Sequence, residues 1–559
     1  MRGWAGFALW YAAAALAADL GALESAQRLV ATGTPQLALD FVVKTQPADS
    51  SAPRWAEWEA LRCSLLARLN RPRELLERAE RLPAGAGTPA LSECLMPAVR
   101  AAIAVEQGAS ARRHAARLLW QGALSAEDAR AIRLLVIDSH VADKRGEDAY
   151  RSMLRFDLDH RPLERQTATR FVAALLDLGM AKEAVNWLAY LDDAEPVKLM
   201  LRLQTGLIES EAAIKLARGL AVKTPGAGWW GVVARAAQMQ GSRVLQIEAL
   251  EQLLQLAAAG DSSQAPRVRE LWQTYLAAAR QAAGRIHLLD NDDAGWGALA
   301  ASRVGNEPTM ARAVFAHLAR RASAFEARGN AQLQLELSLQ IAKLDVAALR
   351  LFSDEEIAAS SLDPRLRYSL GAVAETRGLH AAAVRMWQGL APPPGTTAID
   401  WQLRLAAAMV RAGQADAGAA LVRQVAGATD PWPPEVMKRA SGLSRELLNA
   451  GHLRAAEPLL AGLVQRTDGL ERRQFLFDLG RANDADGKAI IAAEHYLRCA
   501  ALAEPKPPDA LARQARLAAG LSLAQAGYRD DARTQFEWVL RNSRDPAQLD
   551  VARRELKKL

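Results

Sequence analysis

Cysteine and histidine are scarce in this sequence, three and eight in 559 residues, so the side chains that build most metal centres and nucleophilic sites are few from the outset. Cys63, Cys94 and Cys499 are too few and too far apart for a zinc site or a disulfide framework. No two histidines stand four apart, and no HExxH, phosphate-cradling glycine loop or nucleophile elbow occurs. Aromatic residues make up 6% of the chain and β-branched runs are short, which argues against a sheet protein. A basic stripe is missing as well. The net charge is +7, but it is spread in pairs such as Arg112–Arg113, Arg320–Arg321 and Arg553–Arg554. A diffuse excess of this kind is a solvated surface and gives no footing for a nucleic-acid backbone.

What is abundant is alanine, leucine, arginine and glutamate, a composition for helices. A chain of this length exceeds one ordinary core, so it is expected to form several domains or one extended array. The first seventeen residues are set apart. Arg2 gives a positive start, Gly3–Leu16 carries no charge, and Ala15-Leu16-Ala17 fits a small-x-small cleavage site, so 1–17 reads as a secretory signal. The uncharged run stops at Ala18, before Asp19, short of the roughly 20 residues that span a bilayer, so no integral span is expected after cleavage. The alternative is an apolar first helix of a cytosolic protein.

Near the C-terminus, from Phe475 to Pro546, one pattern is written twice. Gly480, Gly487, Ala492 and Tyr496 fall at offsets of 7, 5 and 4, and Gly520, Gly527, Ala532 and Phe536 repeat them. Each residue type has a reason. The first glycine lets two helices approach, the second permits the left-handed backbone that closes a helix, and alanine with an aromatic packs the next helix back. This resembles the tetratricopeptide repeat, a helix–turn–helix unit of about 34 residues. Gly371, Gly378, Ala383 and Trp387 keep the same offsets; Gly179, Ala184 and Pro196, and Ala26, Gly33 and Ala38, keep part of the pattern. Ser444, Gly451, Ala456 and Leu460 keep size but not identity, and Arg151 stands where alanine belongs. The resemblance implies an all-α, right-handed superhelix of stacked antiparallel hairpins, about 13 or 14 by the period of the turns.

Turns are expected near Gly33, Asn70, Gly108, Gly146, Gly179, Gly206, Gly241, Gly284, Gly329, Gly378, Gly413, Gly451, Gly487 and Gly527. Between Gly241 and Gly378 their spacing stretches to 43, 45 and 49. The expected organisation is therefore repeats over 18–283, an irregular junction over 284–328, and repeats again over 329–559. Asp292-Asp293 reads as a polar turn with helix-capping residues rather than a calcium loop. Trp55, Trp58 and the adjacent Trp229 and Trp230 read as core rather than binding platforms, and Trp387 and Trp538 fall at or beside the large-residue slot of the repeat. Cys499 takes a small, buried slot. Cys63 and Cys94 are open to pairing in an oxidising compartment, with two buried thiols the favoured reading.

In the repeat family the first helices line the inner face and bind extended peptides. That resemblance puts Arg365, Tyr368, Lys438, Arg445, Gln474, Phe477, Arg481 and Gln514 on the expected partner-binding face, with Glu375, Asp400, Asp484, Leu403, Ala407 and Leu448. No catalytic, cofactor or metal residue is expected. The function implied is a non-catalytic scaffold of a bacterial envelope, binding envelope or secretion proteins in surface-polysaccharide or outer-membrane assembly, with polysaccharide contact open. The alternative is a periplasmic enzyme or subunit acting on peptidoglycan or glycan. Soluble lytic transglycosylases carry such an array ahead of a lysozyme-like domain. Here repeats run to Arg544 with a short tail to Leu559, so that module is not expected.

Overall fold

The computed structural model describes residues 21–559 apart from 32, 84–87, 122–123, 258–263, 285, 354–356, 427–431 and 503–507. The expected signal segment, 1–17, lies outside the described residues. Among the described residues there is no strand, and each part of the chain is built of successive helices joined by short turns, an all-α solenoid pattern like that of helical repeats. No helix among them is long and apolar enough to cross a membrane.

First helices end in one recurring way. Gly378 has φ +71°, its N–H donates to the Glu375 carbonyl, and the Leu379 N–H reaches back to Ala374 at 2.8 Å. Gly527 and Tyr528 repeat this on Ala524 and Leu523. The two bonds satisfy the last carbonyls of the helix and turn the chain into the second helix. Turns are present near Gly108, Gly146 and Gly284, but the left-handed residues are Glu106, Lys144 and His287, with φ of 58°, 57° and 56°, and the turn expected near Gly329 lies instead at Lys343, with φ of 60°. Gly108 and Gly146 open the helices Gly108–Gln121 and Gly146–Asp159, Gly284 ends Gln264–Gly284, and Gly329 is buried inside Phe325–Ile341. The closing bonds are made by backbone, so the turn forms with other residues at a cost of about 1 kcal/mol.

The close approach expected at the repeat glycines is present. A Cβ on Gly480 would stand 2.5 Å from the Tyr496 ring and one on Gly520 2.7 Å from Phe536, and one on Gly371 would overlap the Trp387 indole. Ala383, Ala492 and Ala532 are fully buried beside those aromatics. Trp55, Trp58, Trp229 and Trp387 are core residues, as expected, whereas Trp230 is only half-buried and is corrected as a core residue.

The described chain divides into two compact units, one ending at Ala236 and the other running from Ala237 to Leu559. The segment 284–328, expected as an irregular junction, lies inside the second unit. There Trp296 and Leu299 of Asp293–Arg303 and Val314 and Leu318 of Pro308–Arg321 share a core with Ala279 and Ala283 of Gln264–Gly284. The first wide interval reflects that last helix, 21 residues long and packed on both Arg243–Leu256 and Pro308–Arg321, and the next two run through Gly329, which is not a turn. Asp292 caps its helix as expected, accepting from the Gly295 N–H at 2.8 Å.

In the first unit, the expected pair of thiols is a disulfide. Cys63 of Trp55–Arg68 and Cys94 of Thr88–Ala104 sit where two packed helices bring their Cα atoms to 5.0 Å, and both are fully buried. Beside them the buried Glu59 carboxylate accepts from Arg78 Nε at 2.7 Å and Gln46 Nε2 at 2.5 Å.

Candidate functional site

Five first helices of the second unit carry the expected binding residues: Pro364–Thr376, Ala398–Arg411, Pro434–Asn449, Gly469–Ala485 and Ala510–Gln525. Their apolar stripes go into the core between hairpins, and several of the charged residues left at the surface bond from one first helix to the next. Arg404 donates to Glu375 at 2.6 and 3.0 Å, Arg439 to Asp400 at 2.7 Å, and Arg411 to Glu446 at 2.6 and 2.9 Å. Asp484 accepts from Ser522 at 2.8 Å and from the Tyr496 hydroxyl at 3.2 Å. All three acids expected in the groove are thus engaged by neighbouring helices.

The cations and amides fare differently. Among the described residues, Lys438, Arg445 and Gln514 are exposed and make no hydrogen bond or ion pair. Arg481 is exposed, with its closest carboxylate, Asp478, at 3.6 Å. Gln474 is exposed and stands 3.5 Å from the same carboxylate. Phe477 is half-buried, 5.4 Å from the Tyr496 ring. Lys438 and Arg445 share one first helix and Gln474, Phe477 and Arg481 share the following first helix, and the two are linked where the Arg445 and Arg481 charges both act on Asp478.

Other expected positions do not belong to this set. Arg365 is exposed but holds Asp363 at 3.0 Å, where it helps cap its own helix. Tyr368 is half-buried, its hydroxyl donating to the Ala391 carbonyl and its ring 5.5 Å from Trp401. Leu403, Ala407 and Leu448 are buried in the core and are corrected as groove residues. Their first helices rotate an apolar stripe wider than the repeat pattern implies toward the next hairpin.

Asp478 was not among the expected residues. It is buried, and burial pushes its carboxyl up, with the Gln474 amide and the Arg481 and Arg445 charges pulling it down. The signal was present in its spacing, four after Gln474 and three before Arg481. Arg473 is a second omission. Its guanidinium is buried, grips Asp509 at 2.7 and 2.9 Å, and donates to the Cys499 carbonyl at 3.0 Å. Asp509 caps Ala510–Gln525, so Arg473 fixes how the last two first helices meet.

Reactive chemistry is poorly served. Burial pushes the Cys499 thiol up to about 11, away from a thiolate. Glu59, Cys63 and Cys94 bring ligand atoms within 4.8 Å of one another, but the disulfide takes both sulfurs and Arg78 grips the carboxylate. An open cleft of about 460 Å³ lies apart from Arg445, Phe477 and Arg481, between Leu349, Ser353, Leu379 and Ala412. The Arg411 on its wall is already held by Glu446.

No family model and no curated protein matches the sequence. Solved structures similar to it include the APC/C hetero-tetramer Cut9-Hcn1, at 9% identity over 95% of this chain and 95% of that one, with a TM-score of 0.28. Another is Naa15/Naa10 bound to HypK-THB, at 11% identity over 97% of this chain and 96% of that one, with a TM-score of 0.25. Likenesses of this size carry nothing about partners, and the fold rests on the chain's own hairpins.

Proposed function

We propose that this chain is a non-catalytic scaffold that binds a partner protein on the first-helix face of its second unit, with Arg445, Phe477 and Arg481 as principal contacts. The observation that carries this is the uneven neutralisation of that face. Glu375, Asp400 and Asp484 are used up between helices, while Lys438 and Arg445 are exposed and make no hydrogen bond or ion pair, and Phe477 on the following first helix is only half-buried. Arginine forks and an aromatic anchor are the residues that concentrate binding energy at protein interfaces. A polypeptide offering carboxylates or carbonyls beside one apolar side chain fits them. Replacing Arg445 and Arg481 together by glutamine is expected to weaken capture of the native partner more than about fivefold, which is roughly 1 kcal/mol. Helicity should not change, because both side chains are exposed, and adding Asp478→Asn removes the buried carboxylate that the two charges face, so melting should stay near that of the wild type. Neutralisation is preferable to charge reversal because a new acid would face the buried Asp478. Unaltered capture would place the partner on another face.

The setting proposed is the periplasm of a bacterial envelope, with envelope or secretion proteins as partners. The signal-like Met1–Ala17 segment supports this, as does the Cys63–Cys94 disulfide, a bond that persists in oxidising compartments. N-terminal sequencing of the mature chain should begin at Ala18. An intact Met1 on a cytosolic protein would remove the export reading and leave the binding face untouched.

A further inference from the structure

His317 is fully buried in the second unit, and neither ring nitrogen has a hydrogen-bond partner among the described residues. Its ring lies flat on Trp296, with centroids 3.8 Å apart and planes 20° from parallel. Trp296 in turn donates its indole N–H to the Leu289 carbonyl at 2.8 Å, tying down the segment 286–292 that links Gln264–Gly284 to Asp293–Arg303. We propose that the His317–Trp296 stack is an acid-sensitive latch: protonation of His317 breaks the stack and frees segment 286–292, uncovering the apolar surface beneath it.

The neutral imidazole already leaves its polar atoms unsatisfied, and a charged one would need an anion within bonding reach. The charged groups facing it are Arg280, Asp290, Asp293 and Arg321. Asp293 is occupied at the start of Phe325–Ile341, accepting from Ser323 and Ala324 N–H groups, each at 3.0 Å. Asp290 stands 3.8 Å from Arg280, and Arg280 and Arg321 both repel a second cation. Burial, first among these effects, holds the imidazole below its ordinary value of 6.5. A depressed histidine gives stability that is complete above 6.5 and lost as pH falls toward its folded value, so acid opens the latch. Freed, the segment exposes Leu288 and Trp296, which now pack in the core with Ala279, Ala283 and Val314. Ile286 and Leu289 are already exposed, so opening would enlarge an apolar patch suited to a protein partner.

The test is amide hydrogen exchange of the full chain, read by mass spectrometry at about pH 7.5 and about pH 5 and corrected for intrinsic exchange. If the open state titrates at the ordinary value and the closed state does not protonate in this window, protection over 286–297 should fall by up to about thirtyfold. The helices Gly469–Ala485 and Ala510–Gln525 should keep theirs. His317→Phe preserves a flat ring without a titrating nitrogen and should abolish the acid response; His317→Gln serves if the phenylalanine variant misfolds. Unchanged protection over 286–297 in the wild type overturns the proposal, as does an equal loss throughout the second unit or an undiminished response in a folded variant.

Discussion

Replacing Glu251 by alanine is expected to destabilise the second unit by about 3–5 kcal/mol, measured as a shift of its urea midpoint. Glu251 is 1% exposed and receives Arg312 through two bonds of 2.7 Å and the Tyr275 hydroxyl at 2.6 Å. Burial pushes the Glu251 carboxyl up, with the Arg312 fork and the Tyr275 hydroxyl opposing it. Truncation would leave the Arg312 cation, 5% exposed, without its carboxylate inside the core. The penalty lies in that orphaned charge rather than in the pair, since a well-packed apolar pair can do as well as a buried ion pair. Glu251→Leu with Arg312→Met should therefore recover most of the loss. A double variant as weak as the single one would show that the network fixes the helix arrangement itself.

The second large effect belongs to the first unit. Cys63→Ala with Cys94→Ala should cost about 3–4 kcal/mol by the loop-closure argument for a separation of 31 residues. Exchange protection in Trp55–Arg68 should fall, while the second unit, which holds only the buried free thiol Cys499, should keep its own. Reductant on the wild type should reproduce the loss. Unchanged protection in both experiments would mean that helix packing alone holds these hairpins.

The legible and illegible parts of the sequence differ in kind. Gly371, Gly480 and Gly520 could be read because a glycine against an aromatic is a local requirement, and the structure sets Trp387, Tyr496 and Phe536 on them. The left-handed residues Glu106, Lys144 and Lys343 could not, because the bonds that close a helix are backbone bonds and leave no mark on the side chain. The disulfide was hidden for another reason: chain spacing does not state that two first helices cross within 5.0 Å at Cys63 and Cys94. Exposure of Lys438 and Arg445 followed from the repeat register, whereas pairing of Glu375 with Arg404 and Asp400 with Arg439 depends on how successive hairpins are offset. Leu403 and Leu448 were assigned outward by that register and are buried by the same offset. Asp478 shows the limit most clearly. Its position was visible, but its burial among Gln474, Arg481 and Arg445 is a property of the assembled hairpins.

Whether the first-helix face is the working surface can be tested by site-specific photo-crosslinking in the native cell. A photoreactive residue placed at Lys438 or Gln474, exposed on first helices, should join the chain to one recurring partner segment, and Arg445→Gln with Arg481→Gln should suppress that product. The same residue at Glu494, exposed on the second helix Ala489–Ala501, should give none. Crosslinks from Glu494 alone, or equally from all three positions, would contradict binding on this face.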